Sequence, residues 1–337
     1  MIDSLSIENF RGISQGELIQ LRPLSILIGP NNSGKSTALE GLFVGSTGSS
    51  PAAVRVLKRR AWIGLAGLRD SFYAWALPEC WASFTIGRGG AGSTVRLGVS
   101  YTRDADLVKH VRSELEVAGT VQLIVSGAQG SQNCLIHEDG RVSTVLGTPA
   151  AERAELLDVG TITSFGTLED SYSTSVARGA HVKPALLELT RAMRPDTRDL
   201  EILKRDERYI LCLMDERGSS ALYYAGDGLK RLFHVAATLA GNPGGLLLLE
   251  EPEAFQHPAS LELLARLLLK GIDQGSQVIL STHSLELVRA LLDFAEHRRE
   301  QMGIYRTRLA GGRFDAALIP GPEAWERLDE LGEDLRR

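Results

Sequence analysis

The sequence has few cysteines and no long apolar run, and each shortage excludes a class of protein. Its three cysteines, Cys80, Cys134 and Cys212, are far apart and form no Cys-x-x-Cys pair, so we predict neither a zinc site nor a disulfide framework. No apolar run approaches the roughly eighteen residues of a membrane-spanning helix. Met1–Phe10 reads as a strand rather than a signal peptide, so we expect a cytoplasmic protein.

Excess positive charge and heptad repeats are also missing. A formal net charge of -5 argues against a wholly basic nucleic-acid coat, so contact with a polyanion would need a local basic patch. No heptad run is long enough for a coiled-coil arm. With 337 residues, the chain is long enough to bury a sizeable core in one large α/β domain or in two lobes.

The most specific motif is Gly29–Ser36, which reads Gly-Pro-Asn-Asn-Ser-Gly-Lys-Ser and follows an apolar strand, Leu24–Ile28. The Gly-x4-Gly-Lys-Ser pattern is typical of a phosphate-binding loop. Its two glycines permit backbone torsions that turn N–H groups toward a phosphate, and a helix predicted over Ser36–Phe43 directs its positive end to the same anion. We therefore predict a nucleotide site, and Lys35 would reach the β- and γ-phosphates.

Within this loop, the Ser36 hydroxyl would ligate Mg²⁺. The residues expected to surround ATP are Gly29, Asn31, Asn32, Ser33, Gly34, Lys35, Ser36 and Thr37.

Two further apolar runs end in polar residues. Gly245–Glu251 ends in two glutamates, and Gln277–Ser281 precedes His283. A continuous apolar run fits a parallel strand buried on both faces, and ligands bind at the carboxyl ends of such strands. These side chains are therefore candidates for the same site.

The sequence Ile-Glu-Asn-Phe-Arg-Gly at Ile7–Gly12, followed by the phosphate loop, resembles the amino-terminal lobe of RecF/SMC/OLD-type ATPases, the ABC-like branch of P-loop proteins. The resemblance implies an α/β fold of the ABC-ATPase type, with an inserted antiparallel β-rich lobe and a helical segment. It also implies that Arg11 lies beside the bound nucleotide; a solvated arginine at a strand end is the alternative. Because coiled-coil heptads are missing, a compact RecF-like head is favoured over an SMC-like protein.

The resemblance also implies roles for the polar strand ends. Glu250 stands where the family usually has Asp and would hold Mg²⁺ through water, while Glu251 would orient or deprotonate the attacking water. His283 would hydrogen-bond the γ-phosphate. Solvated carboxylates and a structural histidine are the simpler alternatives.

A second half of the site is implied by Ala225–Arg231, which opens a helix predicted over Leu229–Ala240. In the family, this helix start meets the γ-phosphate bound by the other protomer, so that ATP joins two heads. Gly226 and Gly228 leave backbone N–H groups bare at a positive helix end. The sequence departs from the family's Ser-Gly-Gly form at Ala225 and Asp227, and an ordinary capped helix is the alternative.

The expected domain organisation is one ATPase head over 1–337. Its core lobe would comprise 1–45 and 200–320, and the inserted lobe about 46–199, strand-rich over 83–145 and helical over 167–193. Gly179 and Pro184 are expected to mark a break between two helices of the helical segment. Gly45–Pro51, rich in Gly, Ser and Thr, is predicted to be a mobile loop.

Gly87–Gly92 formally spells Gly-x-Gly-x-x-Gly, but flanking strands favour a hairpin turn. Asp104-Ala105-Asp106 reads as the N-cap of a helix predicted over about Ala105–Val117, with metal binding the alternative.

A basic cluster follows the first helix, formed by Arg55, Lys58, Arg59 and Arg60. Such a cluster contacts DNA phosphates in nucleic-acid-binding proteins, but it also fits the solvated face of an amphipathic helix.

The sequence therefore predicts an ATP- and Mg²⁺-dependent ATPase that forms an ATP-dependent dimer. By resemblance, it would gate a DNA-directed process, in repair or phage defence. OLD proteins carry a nuclease domain after the position of His283, and no such domain follows here, so we expect a nuclease effector to be a separate polypeptide. The alternatives are a non-hydrolysing nucleotide sensor and, with less support, a transporter ATPase subunit, for which no clear glutamine loop is found.

Overall fold

The computed structural model describes residues 1–59, 71–73, 79–101, 121–127, 130–136, 142–145, 153–160 and 166–336. The chain divides into two compact units that alternate along the sequence. The first unit comprises Met1–Leu21, Gly29–Ala154 and Tyr305–Leu318, and the second comprises Arg22–Ile28, Glu155–Ile304 and Ile319–Arg337. The boundaries of these units differ from those of the core lobe and the inserted lobe that the sequence predicts, and that division into lobes stays a prediction.

The described secondary structure is mixed α/β. The strands are β1 (Ser4–Phe10), β2 (Ile13–Ile19), β3 (Leu24–Ile28), β4 (Glu79–Arg88), β5 (Ala91–Tyr101), β6 (Val121–Gly127), β7 (Gly130–Ile136), β8 (Val142–Val145), β9 (Ala154–Leu157), β10 (Asp199–Arg205), β11 (Arg208–Asp215), β12 (Gly218–Ala221), β13 (Leu246–Glu250), β14 (Gln277–Ser281), β15 (Met302–Ala310) and β16 (Arg313–Pro320). The α-helices are α1 (Lys35–Thr47), α2 (Ser50–Arg59), α3 (Thr167–Val176), α4 (Val182–Met193), α5 (Asp227–Gly241), α6 (Pro258–Asp273), α7 (Leu285–Phe294) and α8 (Gly321–Trp325). Short 3₁₀ turns cover Leu222–Tyr224 and Glu296–Gln301, and a π-helical turn covers Glu326–Glu330.

The first unit is built on a sheet with the strand order β8-β7-β6-β5-β4-β1-β2-β16-β15. Neighbours from β8 to β2 are antiparallel, whereas β2 pairs with β16 in parallel. The hairpin predicted at Gly87–Gly92 is confirmed, because Arg88 pairs with Ala91 across a two-glycine turn. Both glycines of that turn have positive φ, which suits a tight hairpin. The predicted antiparallel β-rich part of the fold is thus present.

The loop predicted at Gly45–Pro51 is wrong, because α1 continues to Thr47 and α2 begins at Ser50. A Cβ atom added to Gly45 would lie 2.9 Å from Ile86 and 3.0 Å from Phe84. Gly45 therefore allows a close approach of helix and sheet rather than a flexible segment. The amphipathic helix considered for the basic cluster is present as α2.

The second unit contains a sheet with the order β3-β14-β13-β9, in which β3, β14 and β13 are parallel. The sequence predicts β13 and β14 to be buried parallel strands and β3 to be an apolar strand before the phosphate loop, and these predictions are confirmed. The side chains of these three strands pack with α6 and α7 in one core cluster. From the strands, this cluster includes Ile26 on β3, Leu247 and Leu249 on β13, and Leu280 on β14. Complete burial of each leucine contributes about 1.5–3 kcal/mol.

A second cluster joins α3, α4 and α5 to the antiparallel sheet β10-β11-β12. The break predicted near Gly179 is confirmed, because α3 and α4 lie on either side of it. Pro184 does not contribute to that break: it lies in the first turn of α4, where its missing N–H is tolerated. Asp104-Ala105-Asp106 and the helix predicted over Ala105–Val117 lie outside the described residues.

Candidate functional site

The phosphate loop follows β3 and has the torsions that its glycines predict. The φ angle is +147° at Gly29 and +89° at Gly34, and Asn32 is also left-handed at +61°. A Cβ atom at Gly29 would lie 2.7 Å from the carbonyl oxygen of Thr307, and one at Gly34 would lie 2.6 Å from the ring of Phe314. Both conformation and space therefore require glycine at the two ends of the loop.

Lys35 is buried inside this loop. Its Nζ donates to the carbonyl oxygens of Gly29, at 3.0 Å, and Pro30, at 2.9 Å, and lies 3.4 Å from the hydroxyl of Ser33. Ser33 is held in turn by a 2.7 Å hydrogen bond between its hydroxyl and that of Thr307. The ammonium charge is thus retained within the curve of the loop.

The helix that follows the loop begins without a side-chain cap. Gly34 is the N-cap residue, and because glycine has no side chain it cannot accept a hydrogen bond from the first N–H groups of the helix. Ser36 and Thr37 lie in the first turn and are partly exposed, and Asn31 and Asn32 are exposed at the tip of the loop. Because the first N–H groups of a helix carry partial positive charge, this end is suited to an anion.

Arg11 makes an ion pair within the first unit. Its Nε lies 2.9 Å from Oε2 of Glu40, a carboxylate on α1 that is completely buried. The other oxygen of Glu40 lies 3.1 Å from Nη1 of Arg59. Arg11 also donates to the carbonyl oxygen of Val56, at 3.1 Å. The position of Arg11 beside a nucleotide stays a prediction.

Two members of the basic cluster have partners within the first unit. Besides the pairing of Arg59 with Glu40, the guanidinium of Arg55 lies 5.4 Å from the centre of the Phe43 ring. Lys58 is exposed, and Arg60 lies outside the described residues. The structure thus gives Arg59 a structural role and leaves Lys58 on the surface.

In the second unit, β13 ends at Glu250 and the chain turns at Glu251. The φ of Glu251 is +46°, a left-handed value that is uncommon for a residue with a side chain. The backbone N–H of Glu251 donates to Ser281, the last residue of β14, at 2.9 Å. Backbone strain of this kind clusters at functional sites, where surrounding contacts hold it in place.

This turn brings together two residues that the sequence predicts to be catalytic. Oε1 of Glu251 lies 3.7 Å from Nε2 of His283, and both side chains are partly exposed. The backbone N–H of His283 donates to Oε1 of Glu253, at 2.9 Å. A carboxylate and an imidazole at adjacent strand ends can orient a water molecule and a phosphate oxygen.

The segment compared with the family's signature motif also lies in the second unit. Gly226 is the N-cap residue of α5, and a side chain there would meet open space. Gly228 has no such room, because a Cβ atom would lie 2.9 Å from the carbonyl oxygen of Phe255. Asp227, the acidic departure from the motif, lies 2.6 Å from Nζ of Lys230. Its negative charge at the helix start is therefore paired within the first turn.

Arg231, which follows this segment in α5, is not among the site residues that the sequence predicts. Its side chain is buried and Nη2 donates to the carbonyl oxygen of Glu250. Burial lowers the pKa of Arg231, while the carboxylates of Glu253 and Asp158 act in the opposite direction. A charged residue between the buried positions Leu229 and Leu232 was the signal that could have identified it.

Mg²⁺ is the metal that the sequence predicts for this protein. Across the residues described by the structure, no three His, Cys, Asp or Glu side chains come together as a metal site. Mg²⁺ characteristically uses one or two protein oxygens together with phosphates and water. The Ser36 hydroxyl and the Glu250 carboxylate are oxygen donors of that kind, so their chemistry fits Mg²⁺.

Among the helices that the structure describes, none is long and apolar enough to cross a membrane.

Two family models match the chain. The model described as "AAA domain, putative AbiEii toxin, Type IV TA system" matches residues 165–289, and the model described as "AAA ATPase domain" matches residues 1–51. These ranges include the phosphate loop, Glu251 and His283.

Similar proteins occur in archaea and bacteria. The uncharacterized protein MJECL11 of Methanocaldococcus jannaschii is 35% identical over 111 residues, which are 33% of this chain and 94% of that protein. MJECL10 of the same organism is 24% identical over 219 residues, 63% of this chain and 94% of that protein. Nod factor export ATP-binding protein I of Rhizobium meliloti is 28% identical over 154 residues, 45% of this chain and 43% of that protein.

Solved structures show the same fold. The SMC head bound to the C-winged helix domain of ScpA has a TM-score of 0.54 at 15% identity, covering 96% of this chain and 99% of that chain. An SMC head domain with an extended coiled coil, bound to the C-terminal domain of ScpA from Pyrococcus furiosus, has a TM-score of 0.53 at 13% identity, covering 98% and 99%. The fold is therefore that of a P-loop ATPase head. Two segments of the chain are thus similar to AAA-family domains, and its fold is that of the SMC heads; together these findings support the RecF/SMC-like ATPase of the ABC type that the sequence predicts.

Proposed function

We propose that the protein binds ATP with Mg²⁺ and hydrolyses it to ADP and phosphate. The observation that carries the proposal is the phosphate loop, in which the buried ammonium of Lys35 lies within a curve that only Gly29 and Gly34 permit. Phosphate oxygens would replace the carbonyls of Gly29 and Pro30 as acceptors for this ammonium, because a charged acceptor forms the stronger hydrogen bond. Ser36, Thr37 and the bare start of α1 would bind the same anion.

The roles of the second unit's residues follow from their chemistry. Mg²⁺, when bound, neutralises charge that develops on the β- and γ-phosphate oxygens. Glu250 and the Ser36 hydroxyl would hold it. Glu251 would accept a proton from water or fix its orientation, and His283 would donate a hydrogen bond to the γ-phosphate. Phosphoryl transfer needs mainly positioning and charge stabilisation, which these residue types can supply.

The experiment is steady-state phosphate release from ATP by the purified chain, with Lys35→Ala as the matched variant. We expect Mg²⁺-dependent release by the wild-type protein and none by Lys35→Ala. Release that persists in Lys35→Ala would contradict the assignment of the loop. ATP binding without phosphate release in the wild-type protein would instead favour a nucleotide sensor.

We further propose that ATP pairs two copies of the chain through the start of α5. Gly226, with open space around it, leaves this helix end open to an anion, and the pairing of Asp227 with Lys230 reduces the repulsion that the carboxylate would exert on a phosphate. Light scattering of Glu251→Gln with ATP and Mg²⁺ tests this pairing, because a variant that binds without turnover should accumulate as a dimer.

The control for pairing is Gly226→Asp in the Glu251→Gln background. Gly226 has ordinary φ and open space around it, so the added carboxylate should act by charge rather than by misfolding. We expect the dimer to be lost in this double variant. A molecular mass that ignores nucleotide, or a dimer that survives Gly226→Asp, would contradict the shared site.

The biological setting proposed here is a DNA-directed process, in repair or phage defence, in which ATP turnover gates a separate effector such as a nuclease. The similarity of the fold to SMC heads supports a gating role, since those heads are solved in complex with a partner protein, ScpA. Lys58 and Arg55 on α2 would contribute a DNA contact. Purification of the chain from its native cells with ATP and Mg²⁺ would identify the partner.

A further inference from the structure

Arg231 lies in the core of the second unit, and the proposed catalytic roles leave it without a purpose. Its side chain is only 4% exposed, and its neighbours along α5, Leu232 and Phe233, are completely buried. Burying a guanidinium is costly unless its charge and its hydrogen-bond donors are compensated. An aliphatic side chain of similar volume would fill this position at lower cost, so the contacts of the guanidinium require an explanation.

Those contacts are directed at one peptide group. Nη2 of Arg231 donates to the carbonyl oxygen of Glu250, while Nη1 is buried and donates to no atom of the residues that the structure describes. The carboxylates that attract the guanidinium are those of Glu253, Asp158, Glu251 and Glu250. The positive charge is thus compensated mainly by the acidic strand end and the turn that follows it.

The carbonyl of Glu250 and the N–H of Glu251 belong to the same peptide unit. The N–H donates to the carbonyl oxygen of Ser281 on β14, at 2.9 Å. The peptide plane is therefore held from both sides, by Arg231 at its oxygen and by Ser281 at its nitrogen. Rotation of this plane would break both hydrogen bonds, so they fix the left-handed turn at Glu251.

We propose that Arg231 is a positioning residue for Glu251: it locks the peptide between Glu250 and Glu251 and thereby aims the carboxylate that activates water. This inference rests on the proposed ATPase function. It also links that carboxylate to the start of α5, because Arg231 lies about one helical turn after Gly226–Gly228. A change at the helix start on meeting a phosphate would reach the Glu250–Glu251 peptide through a single side chain.

Three variants test the role of Arg231. Arg231→Met keeps most of the apolar stem and removes the donor, and Arg231→Lys keeps the charge without the planar fork. The control is Arg178→Met, since Arg178 also donates to a backbone carbonyl of α5, that of Gly241 at its far end, at 3.0 Å. Circular dichroism and urea unfolding would first establish that each variant is folded.

We expect ATP affinity to stay within about twofold of wild type in all three variants, because Arg231 acts on the carboxylate rather than on the phosphate loop. Phosphate release should fall at least about tenfold in Arg231→Met, fall less in Arg231→Lys, and stay near wild type in Arg178→Met. Equal losses in Arg231→Met and Arg178→Met, or wild-type turnover in Arg231→Met, would overturn the proposal.

Amide hydrogen exchange gives a readout that does not depend on turnover. The N–H of Glu251 should exchange faster in both Arg231 variants, while the amides inside β13 and β14 keep their protection. Unchanged exchange at Glu251 would overturn the positioning role even in an active enzyme. A wild-type protein that releases no phosphate would overturn the proposed function alone, since the exchange result would still decide whether Arg231 holds the peptide.

Discussion

Nε of Arg11 lies 2.9 Å from Oε2 of Glu40 inside the first unit, and Glu40 lies about one and a half helical turns after the phosphate-loop lysine, Lys35, on α1. The arginine of the Phe-Arg-Gly sequence is thus anchored to the helix that begins at the loop. Glu40 also pairs with Arg59, so two guanidinium groups compensate one buried carboxylate. This arrangement connects the amino-terminal strand, the phosphate-loop helix and the basic helix α2.

We predict that Glu40→Gln destabilises the protein by about 3–5 kcal/mol, because it leaves two guanidinium groups without their counter-charge. Urea unfolding followed by circular dichroism measures the change. Asp315→Asn is the control, because the pair between Arg313 and Asp315 is exposed and should contribute little. If the free energy of unfolding is unchanged in Glu40→Gln, the Glu40 carboxylate does not stabilise the fold and the prediction is wrong.

Lys35→Ala should weaken ATP binding about 10- to 100-fold, the loss expected when a charged hydrogen bond to phosphate is removed. Isothermal titration with ATP and Mg²⁺ measures the affinity. Lys58→Met, which removes an exposed cation from the same unit, serves as the control and should bind like wild type. Equal affinity in the folded Lys35→Ala variant would exclude this loop as the nucleotide site.

DNA binding, if it uses α2, should depend on Arg55 and Lys58 rather than on Arg59, which is paired with Glu40. Reversal of both charges to Glu should weaken binding to all sequences and reduce the slope of log affinity against log salt by about 0.9 for each lost phosphate contact. The control reverses two exposed cations of the second unit, Lys204 and Arg208. Gel shifts in ATP that show no binding by wild type, or equal losses in both variants, would leave α2 as a solvated helix.

Tyr223 makes the free energy of unfolding depend on pH in alkaline solution. Burial and the hydrogen bond to Glu169 raise its pKa to about 12. An unfolded tyrosine ionises near about pH 10, so the folded state binds the extra proton between these values. The stabilisation is complete below about pH 10 and is lost as the pH rises through about 12.

The comparison with Tyr223→Phe isolates this group, since Tyr172 and Lys183, whose pKa values are also raised, are common to both proteins. Relative to the variant, wild type should lose stability as the pH rises from about 9 to 12 in urea unfolding experiments. A constant difference across that range would contradict the pKa of Tyr223.

Much of the fold could be predicted because its signals are local. Gly29–Ser36 fixes a loop by torsion and charge, and the apolar runs that end at Glu250 and Ser281 fix buried parallel strands. The loop predicted at Gly45–Pro51 was wrong, because Gly45 allows a close contact between helix and sheet. That contact depends on Phe84 and Ile86, which are distant in the chain. Arg231 was missed for the same reason, since its partner Glu250 is set by tertiary packing. The pairing of Asp227 with Lys230 lies within one helical turn, and its i,i+3 spacing could have been read from the sequence.

The central claim is that the chain hydrolyses ATP with Glu251 as the residue that activates water. Phosphate release by Glu251→Gln, measured at ATP concentrations that saturate binding, tests it most directly, with the exposed Glu262→Gln on α6 as the control. We predict that Glu251→Gln binds ATP like wild type while its turnover falls by about 10²-fold or more, and that Glu262→Gln keeps wild-type turnover. Wild-type turnover in Glu251→Gln, or equal losses in both variants, would contradict the account.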